Sequence, residues 1–301
     1  MKNDKKIDVN MYAVENDNAV FVEVSVFDKE AQEHTGLFLV DSGCTGNKLS
    51  TSVMKKGFAF QQTTTQETQT IGNQIVEEIV FSYPFTMGGC RFDEEFTLLD
   101  GDLLPKVGDM PILGILGNIF LQKHSLAVDL SSHRVYTSDV SHHNLSISDC
   151  SYFFSMIPGL KSYGVPVVPI KSNDGESIAI VDTGCTNLII AEGALDKIPD
   201  NIMYNGMITE IHSIAGTMNC KEGDLPLCIL GFPEQGEDWK EYPVSETVAV
   251  APVKTILSIG NGMESDEEHS IPEVDVLLGS PFIASAGWIL DFGAKIIYRR
   301  K

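Results

Sequence analysis

One motif occurs twice in this chain, and that duplication restricts its folding more than any other feature. Leu37-Phe38-Leu39-Val40-Asp41-Ser42-Gly43-Cys44-Thr45 aligns with Ile178-Ala179-Ile180-Val181-Asp182-Thr183-Gly184-Cys185-Thr186, and Val, Asp, Gly, Cys and Thr coincide. A second pair follows downstream, Ile115-Leu116-Gly117-Asn118-Ile119-Phe120-Leu121 against Leu277-Leu278-Gly279-Ser280-Pro281-Phe282-Ile283. The spacing after each glycine is also repeated. Gly117 to Asp129 is 129 − 117 = 12 residues and Gly279 to Asp291 is 291 − 279 = 12, and each aspartate leads to a tyrosine 7 residues on, Tyr136 and Tyr298. Self-similarity in one register implies two copies of one structural unit. At roughly 150 residues per domain the chain length agrees. The expected division is a first lobe over 1–140, a connection over 141–161 and a second lobe over 162–301.

Between these anchors the segments are rich in Val, Ile, Thr, Phe and Tyr and broken by Gly, Asn and Asp, which is the punctuation of an all-β fold with short strands. Phe21 to Val26 alternates like a half-buried strand. Leu37 to Val40 and Ile178 to Val181 are continuous apolar runs, as expected of strands covered on both faces that carry the following aspartates to the centre. Helix is expected only in short pieces, near 118–123, 191–197 and 281–285. The segment 152–157, Tyr-Phe-Phe-Ser-Met-Ile, is too apolar for a free linker and is expected to pack on the lobes.

Charge and cysteine content exclude several classes. With 42 acidic against 21 basic residues and a net charge of −21, the chain lacks the cationic surface that phosphate-backbone binding requires, so no nucleic-acid partner is expected. The longest apolar stretch, 110–121, is 12 residues long and interrupted by Gly114, Gly117 and Asn118, too short for a spanning helix, and no membrane role is expected. The amino terminus has lysines but no apolar segment of a secretory signal behind them, which points to the cytoplasm. The six cysteines (44, 90, 150, 185, 220, 228) form no CxxC pair and are expected as reduced thiols. His142 and His143 lack partners at metal spacing, and the acidic run 264–268 lacks the ligand pattern of a calcium site, so neither metal nor cofactor is expected.

Asp-Ser-Gly at Asp41 and Asp-Thr-Gly at Asp182, each after an apolar strand and each followed by an Ile/Leu-Leu-Gly element, resemble the clan of pepsin and retropepsin proteases. The resemblance covers both halves, and the stretch Ile115 to Leu121 followed by Ala127-Val128-Asp129-Leu130 is closest in style to bacterial retropepsin-like proteins, here as a fused dimer. It implies two β-barrel lobes related by a pseudo-twofold axis with a central cleft. It further implies an aspartic endopeptidase acting on peptide or protein substrates as a monomer in a bacterial cytoplasm, with Asp41 and Asp182 as the catalytic pair. Ser42 and Thr183 would send hydroxyls across the axis, Gly43 and Gly184 would allow a sharp turn and offer amides beside each carboxylate, and Gly117 and Gly279 would let a segment cross close behind the loops. Glycine-tipped hairpins at Ile71-Gly72 and Ile214 to Gly216, 72 − 41 = 31 and 216 − 182 = 34 residues after the aspartates, are the candidate flaps over a substrate. The position after each Gly commonly holds Ser, Thr or Ala in that clan, whereas Cys44 and Cys185 stand here. A thiol donates more weakly than a hydroxyl, so the expected activity lies at milder acidity than in pepsin-like enzymes, and a rate maximum near pH ~2 would exclude this. Two other readings remain open at this point. The aspartates serve as turn residues in a β-rich binding protein, or the chain is a noncatalytic peptide-binding protein with the same fold.

Overall fold

The computed structural model describes residues 6–14, 17–27, 30, 32–54, 61–69, 75–100, 107–138, 150–155, 165–171, 175–196, 202–213, 216–233, 239–258 and 273–300. The chain is mostly β. The strands of the first half are β1 (Asp8–Val14), β2 (Asp17–Phe27), β3 (Glu33–Val40), β4 (Asn47–Ser50), β5 (Gln61–Gln69), β6 (Ile75–Met87), β7 (Cys90–Leu99), β8 (Ile112–Leu116), β9 (Leu126–Asp129) and β10 (Arg134–Thr137). Those of the second are β11 (Cys150–Ser155), β12 (Val167–Lys171), β13 (Glu176–Asp182), β14 (Leu188–Ala191), β15 (Met203–Ser213), β16 (Gly216–Pro233), β17 (Trp239–Ala251), β18 (Leu257–Ser258), β19 (Glu273–Val274), β20 (Val276–Gly279), β21 (Ile289–Asp291) and β22 (Ile296–Arg300). The described helices are α1 (Thr51–Met54), α2 (Asn118–Lys123) and α3 (Ser280–Ala286), with a 3-10 turn at Glu192–Ala194. Three of these sit where the sequence places them, and α1 is an addition that follows β4 directly.

Six strands of the first half run β2-β3-β8-β4-β7-β6, and a further β2–β6 pairing closes them into a barrel, with β5 added outside β6. In the second half β12-β13-β20-β14-β17-β16 repeat that order, with Lys171 pairing Gly231 between β12 and β16 and with β15 added outside β16. Strand directions match as well. β3–β8 and β13–β20 are parallel, β4–β7 and β14–β17 are parallel, and β4–β8 and β14–β20 are antiparallel. The repeat in sequence is therefore a repeat in topology, strand for strand.

A continuous run of strands joins the halves, β11-β22-β21-β9-β10-β1. At its centre β9 pairs antiparallel with β21, Ile289 opposite Asp129 and Asp291 opposite Ala127. The equal spacings from Gly117 and Gly279 bring the two terminal strands to this seam. The apolar connecting segment supplies β11, which pairs with β22.

Burial follows the patterns that define the strands. Leu37, Phe38, Leu39 and Val40 are buried on both sides of β3, as are Ala179, Ile180 and Val181 in β13. Phe38, Phe85, Phe92, Phe96 and Phe120 form an aromatic cluster in the first barrel, with centroid separations of 5.2 to 5.9 Å where rings meet. Phe120 ties α2 to that core, and Phe282 ties α3 to the other half by packing edge-on to Trp288 at 5.4 Å. Truncating Phe120 to Ala would cost about 3–5 kcal/mol, the usual penalty for an emptied aromatic site. No helix among the described residues is long and apolar enough to cross a membrane.

Candidate active site

β3 and β13 end at Asp41 and Asp182 because their buried apolar runs leave the next residue at the barrel end. The strand behind each is parallel and in register, Val40 opposite Leu116 and Asp182 opposite Gly279. Asp41 N donates to Leu116 O at 3.0 Å. The two loops then meet and exchange reciprocal bonds. Ser42 Oγ donates to Val181 O at 2.7 Å and accepts from Thr183 N at 2.9 Å. Reciprocally, Thr183 Oγ1 donates to Val40 O at 2.7 Å and accepts from Ser42 N at 3.0 Å. Both hydroxyl residues are fully buried, so each bond satisfies a group that water does not reach.

That exchange brings the carboxyls of Asp41 and Asp182 within hydrogen-bonding distance of each other. Asp182 Oδ1 accepts from Gly184 N at 2.8 Å and from Gly43 N of the other loop at 3.2 Å, while Asp41 Oδ1 accepts from Cys44 N at 2.8 Å. Both aspartates keep a partly exposed side while the hydroxyls beneath them have none. Burial raises the pKa of both, and for Asp41 the charge of Asp182 and their shared hydrogen bond raise it well beyond the ordinary carboxylate range. Amide donation opposes the rise at both sites, from Cys44 and Gly43 at Asp41 and from Gly184, Gly43 and Cys185 at Asp182.

The glycines of the loops donate their amides to the carboxylate of Asp182, as expected, and serve a second end. Neither Gly43 nor Gly184 has a positive φ, so no left-handed turn calls for them. A Cβ at Gly43 would lie 2.2 Å from Oδ2 of Asp182, and one at Gly184 would lie 2.4 Å from Cγ of Asp41. Each glycine leaves room for the opposite carboxyl, and a side chain at either would push the pair apart. Behind the loops, a Cβ at Gly117 would meet Gly46 O at 2.4 Å and one at Gly279 would meet Asn187 O at 2.3 Å, so these two do admit a close crossing.

The helices that follow complete the loops. Asn118 N and Ile119 N of α2 donate to Cys44 O and Thr45 O at 2.8 and 3.0 Å, and Ser280 N and Oγ of α3 donate to Cys185 O at 2.8 and 3.0 Å. First-turn amides have no partner within their own helix, and here the loop carbonyls accept from them. The Asn118 side-chain amide also donates to Ser42 O. Asn118 and Ser280 occupy equivalent places in the repeat, and their position directly after Gly117 and Gly279 is the sequence signal for this role.

The thiols of Cys44 and Cys185 donate to carbonyls of their own loops. Cys44 Sγ donates to Gly46 O at 3.1 Å and Cys185 Sγ to Asn187 O at 3.4 Å. Burial pushes the Cys44 thiol up to about 12, with the charge of Asp41 adding to it, and raises Cys185 in the same way with the charge of Asp182. Among the described residues, Cys44, Cys90, Cys185 and Cys220 are thiols not joined in disulfides. Ile71, Gly72 and Ile214 lie outside the described residues. The strands around them form hairpins, β5–β6 with Gln69 opposite Ile75 and β15–β16 with Ser213 opposite Gly216. Gly216 is thus the first residue of β16 and stands beside the tip, not at it. Among the described residues no group of His, Cys, Asp and Glu is arranged to hold a metal ion.

Neither family models nor curated protein sequences give a match to this chain.

Proposed function

We propose that this chain is an aspartic-type endopeptidase in which Asp41 and Asp182 share one proton and together add water to a peptide carbonyl. The observation that carries this reading is the hydrogen-bonded pair of carboxyls, one from each half, held by loops that exchange hydroxyl and amide bonds across an axis. Two carboxyls so close cannot both ionise, and their common proton makes the pair an acid and a base at once. Asp182 accepts from more amides than Asp41, so the resting negative charge is better held there and the proton sits on Asp41.

In the first step Asp182 takes a proton from water, the water oxygen bonds to the carbonyl carbon, and Asp41 gives its proton to the carbonyl oxygen. A tetrahedral diol results, with the charge now on Asp41. In the second step Asp182 returns its proton to the amide nitrogen, the C–N bond breaks, and Asp41 takes a proton from a diol hydroxyl as the acid product forms. The pair ends as it began. Both carboxyls belong to one chain, so a monomer is sufficient. The hairpins β5–β6 and β15–β16 are the candidates to cover an extended peptide, whose main chain a β-rich cleft can hold by backbone bonds.

The test is incubation of purified protein with a mixed peptide library from pH ~4 to ~8, with Asp41→Asn and Asp182→Asn as controls. Cleavage that disappears in both variants and is blocked by a statine-type mimic is the expected result. Peptide binding that persists unchanged in both variants, with no cleavage in the parent, would replace this reading by that of a noncatalytic binding protein.

A further inference from the structure

The two barrels repeat each other closely, yet one buried position breaks the repeat. Lys48 in β4 is 1% exposed and its Nζ donates to both carboxylate oxygens of Glu78 in β6, at 2.6 and 2.5 Å. Glu78 also accepts from Thr68 Oγ1 in β5 at 2.5 Å and from Thr97 Oγ1 in β7 at 3.0 Å. One carboxylate therefore joins four strands.

Strand register identifies the equivalent places in the second half. Asn47 stands opposite Phe96 and Phe96 opposite Phe81, as Leu188 stands opposite Val248 and Val248 opposite Gly223. Stepping along each strand pairs Lys48 with Ile189 and Thr97 with Ala249. Glu78 (81 − 78 = 3) then pairs with Cys220 (223 − 220 = 3). Opposite these, Gln66 faces Glu78 and Thr209 faces Cys220, so Thr68 corresponds to Ile211. Where the first barrel has Lys48, Glu78, Thr68 and Thr97, the second has Ile189, Cys220, Ile211 and Ala249. All four of the latter are buried in the main apolar core.

We propose that Lys48 and Glu78 are positioning residues that lock the β5–β6 hairpin onto the strand leaving the Asp41 loop, while the β15–β16 hairpin, whose equivalent buried positions are apolar and whose ion pair from Lys221 to Glu192 is exposed, adjusts to the substrate. This rests on the endopeptidase reading for its catalytic consequence but not for the hairpin itself. A buried ion pair seldom stabilises a fold more than apolar groups of the same volume, so stability does not account for its presence in one barrel alone. Directional bonds do what apolar contact cannot, because they fix one register and one distance. The location is apt. Lys48 stands in β4, 48 − 41 = 7 residues beyond Asp41, so its bonds to Glu78 tie β6 to the strand that leaves the loop presenting that aspartate.

Two variants test it, Lys48→Met with Glu78→Gln, which keeps volume and removes charge, and the graft K48I/T68I/E78C/T97A, which copies the second barrel. Both remove the two partners together, which avoids leaving a lone buried charge. Amide hydrogen exchange of the whole chain reads the positioning, and steady-state kinetics on a peptide cleaved by the parent reads its consequence. The expected result is a melting temperature close to the parent's, exchange of β5 and β6 faster by about tenfold or more with β15 and β16 unchanged, and a matching loss in kcat/KM with most of it in kcat. Unchanged exchange in β5 and β6 in whichever variant folds would overturn the proposal, as would faster exchange with unaltered kinetics. A parent that cleaves no peptide would overturn the endopeptidase reading alone, and the exchange contrast would then decide the positioning of the hairpin by itself.

Discussion

Thr183→Val keeps the shape of the side chain and removes one hydroxyl, and the geometry of the paired loops sets what this should cost. The lost hydroxyl donates to Val40 O at 2.7 Å and accepts from Ser42 N at 3.0 Å, and both groups are beyond the reach of solvent. A buried group left without its partner costs about 1–3 kcal/mol. Two such groups, with some relief from loop adjustment, give about 2–4 kcal/mol. Ser42→Ala should match it, because its hydroxyl makes the mirror pair of bonds to Val181 O and Thr183 N. The double variant should cost less or more than the sum by at least about 0.5 kcal/mol, since the two hydroxyls belong to one network. Urea unfolding of the four proteins measures this, and thermal midpoints should fall by roughly 2 °C for each kcal/mol in a chain of this size. A loss below about 1 kcal/mol for either single variant, or strict additivity, would refute the claim that these hydroxyls hold the carboxyls together.

Two other outcomes follow from the same site. Asp41 has a folded pKa raised above its ordinary 3.8 by burial and by Asp182, so the stability it contributes is complete below that value and is lost as pH rises through the folded one. Asp41→Asn removes this loss, and its melting temperature should exceed the parent's at pH ~7 and converge with it near pH ~3, each unit of pKa elevation being worth about 1.4 kcal/mol. A constant difference across that range would contradict the raised pKa. The thiols at Cys44 and Cys185 should resist iodoacetamide at pH ~8 in the native protein and react only on unfolding, because burial and the neighbouring carboxyls keep them protonated. Mass spectrometry of the native protein showing either one labelled within minutes would contradict this.

Local pattern and repeat carry much of this architecture in the sequence itself. The apolar runs before Asp41 and Asp182, the downstream glycines and the equal spacings to Asp129 and Asp291 are read by eye, and they locate the central strands of each half and the helices α2 and α3. Position within the repeat even anticipates that Ser42 and Thr183 play equivalent parts. What escapes is long-range. Nothing near Lys48 marks it as buried, since Asn47-Lys48-Leu49-Ser50 reads as a polar strand end, and its partner lies 30 residues away in sequence. Only alignment of Lys48 with Ile189 hints that the position faces inward. Gly43 and Gly184 show the complementary limit. Their identity is plain, but the reason for it, the opposite carboxyl 2.2 to 2.4 Å from where a Cβ would be, exists only once the two halves have met. The seam between β9 and β21 is hidden for the same cause.

That seam also sets an order of events during synthesis. β9 is made early and stays without its central neighbour until β21 has emerged. Until Ile289–Asp291 lies against Ala127–Asp129, the first half has half of a paired centre and an open sheet edge. A growing chain on the ribosome therefore carries Asp41 without a partner carboxyl until Asp182 has emerged, and the junction of β9 with β21 can form only after a further 289 − 182 = 107 residues.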